Sequence, residues 1–191
     1  MDSFTDAPIG GKVNLDMCLR YEYIDQDNAR KDANTFTLRT RLGYNTAKFK
    51  GFNAMVEVEN NALIVNDFNS GPGGNSKTEY SVVADPEATE VNQAFLEFDG
   101  IPDTPLKVGR QRIILDNARF VGNVGFRQLE QTFDAARIEN SSIPDTTLLY
   151  SYVDIRSHLI NLHYKGLQFG TFSGYGYLLE FPDNEITSQQ T

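Results

Sequence analysis

The chain has 191 residues and a formal charge of -9, with no tryptophan and a single cysteine, Cys18. One cysteine excludes an internal disulfide framework and a multi-cysteine metal centre, and the acidic balance argues against non-specific binding of nucleic acid. No run approaches the roughly 18 apolar residues of a membrane-spanning helix. The mean hydropathy of -0.41 leaves a membrane barrel open, because inward polar residues dilute the average in every strand.

The first residues, MDSFTDAPIGG, are acidic and polar, without the charged-then-apolar order of a signal peptide. Residues 1–11 therefore read as a disordered segment. From Lys12 to Asp25 the chain alternates: Val13, Leu15, Met17, Leu19, Tyr21 and Tyr23 share one parity, and Asn14, Asp16, Cys18, Arg20 and Glu22 the other. Successive strand residues point to opposite faces, so this is a strand with one apolar and one charged face. Its length suits a tilted membrane-spanning strand. Cys18 lies on the polar parity and reads as a small packed residue.

A polar loop, Gln26 to Asn34, precedes a second strand, Phe36 to Thr46, in which Phe36, Leu38, Leu42 and Tyr44 oppose Thr37, Arg39, Arg41 and Asn45. After a short connection, Phe52, Ala54, Val56 and Val58 oppose Asn53, Met55, Glu57 and Glu59. Asn66 to Pro86 is a long loop whose Ser70-to-Ser76 stretch cannot be regular structure. Asp67 and Asn69 there lack the distal glutamate of a calcium loop, so a solvated loop is the better reading.

Asn92 to Phe98 is a fourth strand, with Ala94, Leu96 and Phe98 outward. In a fifth, Leu106 to Arg112, the parity of Leu106 and Val108 runs on into Arg110 and Arg112, which predicts a β-bulge. Asp116 to Gln128 fits neither period and reads as an irregular excursion. Strands resume over Thr132 to Asn140, Thr146 to Ile155, Ser157 to Lys165 and Thr171 to Phe181. Short connections alternate with long ones, the rhythm of an outer-membrane barrel. Ile101-Pro102-Asp103-Thr104 and Ile143-Pro144-Asp145-Thr146 repeat one turn sequence.

The blocks GKVNLDMCLRYEYIDQDN, TLRTRLGYNTAKFKGFNAMVEVEN, VVADPEATEVNQAFLEFDGIPDTPLKVGRQRI and DNARFVGNVGFRQLEQTFDA together resemble Gram-negative outer-membrane porins of the alginate-export type. The resemblance runs from Gly11 to Phe181. It implies an all-β fold, an antiparallel transmembrane β-barrel of about 16 to 18 strands, of which about nine fall within residues 12–183. It also implies a place in the cell outer membrane, contact with outer-membrane lipid, and insertion by barrel-assembly machinery. The chain lacks a leader and a terminal aromatic strand, so it is expected to be the N-terminal part of a longer barrel, with 184–191 a truncated end.

Six cations, Lys107, Arg110, Arg112, Arg119, Arg127 and Arg137, lie between residues 107 and 137. An inward fold of Asp116 to Gln128 would bring Arg119 and Arg127 to a constriction, and rings of guanidinium groups favour anions. Asp16, Glu22, Glu57, Glu59 and Glu97 occupy the polar parity of earlier strands, and basic residues facing them would set up a transverse field. Arg39 and Arg41 are expected mainly to brace the wall against Asp16, Glu22, Glu57 or Glu59. Tyr21, Tyr23, Tyr44, Phe52 and Phe98 fit an outward aromatic girdle.

His158 and His163 sit on opposite parities of one strand, with no nucleophile, zinc or phosphate-binding motif, so no enzyme activity and no cofactor are expected. The leading function is a passive channel for small hydrophilic solutes, anionic ones and acidic saccharides among them. The alternatives are dedicated transport of a uronic-acid polymer such as alginate, and a soluble all-β carbohydrate-binding module.

Overall fold

Alternating sequence becomes sheet throughout. The computed structural model describes residues 5–72, 74–154 and 156–180. Nine strands lie within them: β1 (Lys12–Ile24), β2 (Ala33–Asn45), β3 (Phe52–Asp67), β4 (Ala88–Phe98), β5 (Leu106–Gln111), β6 (Phe133–Asn140), β7 (Thr146–Val153), β8 (Ser157–Leu167) and β9 (Gly170–Leu178). Each pairs antiparallel with its sequence neighbour in one sheet, and β1 and β9 form its two edges. The expected end segment 184–191, and Phe181, lie outside the described residues.

Register assigns the faces. Val13, Tyr44 and Val56 share one face, as do Phe52, Phe98 and Leu106. That face is predominantly apolar and unprotected: Val13, Leu15, Met17 and Leu19 on β1 are 58–69% exposed. Soluble monomers rarely leave so large an apolar patch bare, whereas lipid accepts it. Its aromatic residues collect at two levels. Tyr21, Tyr23, Phe36 and Tyr152 lie toward one end of the strands, and Tyr44, Phe52, Phe98, Tyr164 and Phe172 toward the other. Phe36 and Tyr44 are about 27 Å apart along β2 at ~3.4 Å per residue, which a tilted strand converts to roughly the height of an apolar membrane band. Met17 pairs with Thr40 midway between these levels. Met17→Arg is expected to cost about 2–4 kcal/mol in urea unfolding from lipid vesicles. Asn14→Arg, on the opposite face, should stay within about 0.5 kcal/mol.

Short connections (46–51, 99–105, 141–145 and 168–169) stand at one end of the sheet, and longer ones (25–32, 68–87 and 112–132) at the other. The alternation fails once, since 154–156 is a tight connection on the long-loop side. The repeated turn sequence does encode one repeated turn. Asp103 and Asp145 take φ of 52° and 57°, and the Thr104 and Thr146 amides donate to the Ile101 and Ile143 carbonyls at 3.2 and 3.1 Å. Aspartate tolerates this left-handed conformation better than most residues.

Three expectations need correction. Residues 6–9 form a helical turn, Asp6–Ile9, with Ala7 buried and its carbonyl accepting from the Ala47 amide at 2.9 Å, so the disordered segment 1–11 is ordered at least there. β5 has no bulge; its register is regular with β4 through Arg110 and with β6 through Gln111, where the strand ends and the chain leaves the wall. Unbroken register puts Arg110 opposite Ala94 and Asp134, on the apolar outer face rather than among the inward cations. A bulge does occur in β4: Glu57 pairs with Gln93 and Val58 with Val91, so Asn92 is the extra residue.

Candidate functional site

The polar face is covered by one segment. After Gln111 the chain turns inward, and residues 112–132 run across that face without regular structure before re-entering the sheet at Phe133. Backbone outside a sheet needs other partners, and here the wall strands and the connection 68–87 supply them. The Gln128 amide donates to Asp85 Oδ1 at 2.8 Å. Its side-chain amide donates to Thr37 Oγ1 at 2.7 Å and to the Cys18 carbonyl at 3.3 Å. The Glu130 amide donates to Glu59 Oε1 at 3.4 Å.

Glu130 is the centre of the attachment. It accepts from Asn92 Nδ2 at 2.6 Å and Asn123 Nδ2 at 2.7 Å, bonds Arg112 Nε, and lies 3.5 Å from Arg41 Nη2. Glu57 Oε1 accepts from Asn92 at 2.8 Å, Gln93 at 3.1 Å and Arg112 at 2.8 Å. The β4 bulge makes this possible, because it turns two consecutive side chains, Asn92 and Gln93, toward one carboxylate. Glu59 is fully buried and pairs with Arg41. A second knot joins Arg20 to Glu22 and, at 3.5 Å, to Asp85, with Arg127 3.5 Å from Glu22 and 3.6 Å from Asp85. The Arg20 guanidinium stacks 4.1 Å over the Phe126 ring. On the other side of the segment, Ile113, Leu115 and Val121 pack on Ala135, Leu149, Val153 and Leu159. One half of the segment is thus held by charge and the other by apolar contact.

The predicted residues distribute as follows. Arg39 pairs with Asp16 at 2.5 Å and Arg41 with Glu59, the cross-strand bracing expected of them. Lys107 faces inward, 3.2 Å from Glu97 and 4.2 Å above the Phe95 ring. Arg137 also faces inward and pairs with Glu139. Arg112 and Arg127 are ion-paired, whereas Arg110 forms a two-pronged bond with Asp134 at 3.0 and 2.8 Å on the outer face. Arg119 alone of the six has no carboxylate within ion-pair distance among the described residues. The acids of β1 and β3 and the bases of the segment meet in direct contact, so they do not face one another across open space as a transverse field would need.

Sequence reading missed Glu130, Asp85, Gln128 and Asn92. Only Asn92 carried a signal: two polar residues in succession, Asn92-Gln93, interrupt the alternation of β4. Two cavities flank the segment. One of about 1000 Å³ lies between residues 118–126 and Phe133, Val153 and Leu159. The other, about 510 Å³, is bounded by Asp116, Arg119, Phe120, His163, Ser173 and Tyr175. No group of acidic, histidine or cysteine side chains that could hold a metal occurs among the described residues.

The fold has a known counterpart. The structure is similar to that of Pseudomonas aeruginosa OccK9 (OpdG), a β-barrel porin, with a TM-score of 0.65 at 13% sequence identity. The alignment covers 91% of this chain and 51% of that one, so the chain spans about half the length of the barrel it matches. No curated protein matches it in sequence. The alginate export family profile matches residues 12–152. The chain therefore belongs to the alginate export family, and its nine strands are part of an outer-membrane-type β-barrel.

Proposed function

We propose that the chain forms wall and inner loop of a non-enzymatic outer-membrane channel for small hydrophilic solutes. The observation that carries this is the segment 112–132, which leaves the wall and binds across the polar face while the opposite face stays apolar and bare. An apolar face toward lipid and a polar face inward is the arrangement of water-filled membrane barrels, whose lumens also hold inward loops. The same outer face disfavours a soluble module. Lipid on that face, and barrel-assembly machinery to insert it, are the partners this reading needs. β1 and β9 must also meet further strands, since an open edge in hydrocarbon leaves backbone groups unpaired.

Anions are the favoured solutes, on narrower grounds than the count of cations. Of the six cations between residues 107 and 137, five pair with carboxylates, and Arg119 alone lacks such a partner among the described residues. Transport of a uronic-acid polymer is the second reading, favoured by the family match. Reversal potential across a salt gradient, measured on the complete protein in a planar bilayer, tests the anion preference. Wild type should favour anions, Arg119→Gln should move the potential toward cations, and Arg110→Gln should leave it unchanged. Cation preference in wild type, or no shift with Arg119→Gln, would sink the anion reading.

A further inference from the structure

We propose that the wall is notched beside the end of β5 and that this notch admits the acyl chain of a zwitterionic phospholipid into the larger cavity; this rests on the outward face meeting lipid. β4 pairs with β3 from Ala88 to Phe98, but with β5 only from Ala94 to Phe98. β5 stops where the chain departs into the segment 112–132, so residues 88–93 of β4 have a strand on one side only. An open edge facing hydrocarbon leaves backbone groups in need of partners. Arg110, the last β5 residue paired with β4, supplies one. Its Nη1 donates to the Val91 carbonyl at 3.3 Å, while Nε and Nη2 donate to the Asp134 carboxylate at 3.0 and 2.8 Å. One side chain thus spans from β4 to β6 across the foot of the notch.

The cavity of about 1000 Å³ lies behind this gap and is lined from both sides of the wall: Val91, Arg110 and Asp134 outside, Phe120, Val124 and Leu159 inside. It is therefore continuous with the lipid-facing surface. Phe120 and Val124 are 62% and 57% exposed, although they stand on a segment laid across a polar face. Apolar surface left in water is unfavourable, so these side chains favour an apolar occupant. The mouth decides which one. Asp134 lies two residues beyond Ala136, the partner of Tyr152, which puts the mouth at the edge of the aromatic level, where headgroups begin. Glu90 and Asp154 stand within electrostatic reach of Arg110, so charges of both signs surround the opening. Ionisable groups in a membrane-spanning wall are rare and mark functional paths. A phospholipid would leave its phosphate and ammonium among these charges and pass its chain between β4 and β6. The volume lies at the upper end of the range of small-molecule sites.

The test reads tryptophan fluorescence in the complete protein, reconstituted in phosphatidylcholine vesicles with and without bromine on the acyl chains, as the signal each variant adds over its parent. Bromine quenches on contact. Phe120→Trp reports the cavity, Phe98→Trp the outward face, and Phe95→Trp the inward face away from the notch. Phe120→Trp should lose as large a share of its fluorescence as Phe98→Trp, and Phe95→Trp none. Adding Arg110→Ala together with Asp134→Ala should deepen the loss at Phe120→Trp and leave Phe98→Trp as it was; removing both charges leaves neither bare in lipid. An unchanged loss at Phe120→Trp would overturn the span across the notch. Quenching at Phe98→Trp but not at Phe120→Trp overturns the lipid site and leaves the lipid-facing wall standing, and a protein strand seated on the open edge of β4 would give that result. Equal quenching at all three positions also overturns the site, because lipid then reaches the inward face without the notch. No quenching at Phe98→Trp refutes the lipid-facing wall itself.

Discussion

Replacing Glu130 by alanine is expected to free the charge-held half of the segment 112–132 from the wall, raising single-channel conductance and exposing that half to protease. The carboxylate joins Arg112, Arg41, Asn92 and Asn123 in a nearly dry site. Removing one member of a buried ionic network leaves the others without compensation, at a cost of about 3–5 kcal/mol. The apolar half, Ile113, Leu115 and Val121, should stay docked, so the change is a local opening rather than unfolding. Conductance and protease resistance equal to wild type would show that Glu130 does not hold the segment.

The same group sets a pH limit. Burial acts to raise the Glu130 pKa, but the amides of Asn92 and Asn123 and the charges of Arg112 and Arg41 outweigh it and hold it below the ordinary 4.5. A group with a lowered folded-state pKa stabilises above its unfolded value and loses that contribution as pH falls through the folded one. The segment should therefore stay docked at pH 4.5 and open only on further acidification. Opening above pH 5, followed by conductance, would contradict this assignment.

Gly109→Ala is expected to prevent assembly of a stable barrel. Gly109 has φ of 121°, and a Cβ there would lie 2.3 Å from the Ala94 carbonyl oxygen and 2.9 Å from Phe95 Cα. The conformation costs an ordinary residue about 1–3 kcal/mol, and backbone on the neighbouring strand cannot give way as a flexible side chain would. β5 has only six residues to hold β4 to β6, so strain at its centre is not diluted. Gly176→Ala is the control, because nothing lies within 4 Å of its added Cβ. The folded fraction in detergent, read by resistance to urea, should fall for the first and hold for the second. Equal resistance would show that the β4–β5 pair can adapt.

Strand positions and faces were legible because lipid and water impose a period of two along each strand, and Val13 to Tyr23 shows it without a break. The irregular excursion was legible for the same reason, as the place where the period fails. Arg110 was misread because the side chain's polarity was taken to decide its face. In the sheet, unbroken register decides it, and Asp134 on the next strand makes the outward arginine tolerable by pairing with it. Glu130 and Asp85 were illegible because their partners lie far away along the chain. Asp85 receives the Gln128 amide, and Glu130 meets Arg41.

By itself, then, the sequence determined nine two-faced strands, the turns that join them, and the segment that could not be a strand. Local periodicity is enough for each of these, since every residue's face follows from its neighbours. Only the tertiary structure decided which charges meet. It turned a row of cations into a set of ion pairs under the segment 112–132 and left Arg119 unpaired beside bare aromatic rings. Charge pairing depends on distance in space, and the return of an irregular segment across four strands is written in no local pattern.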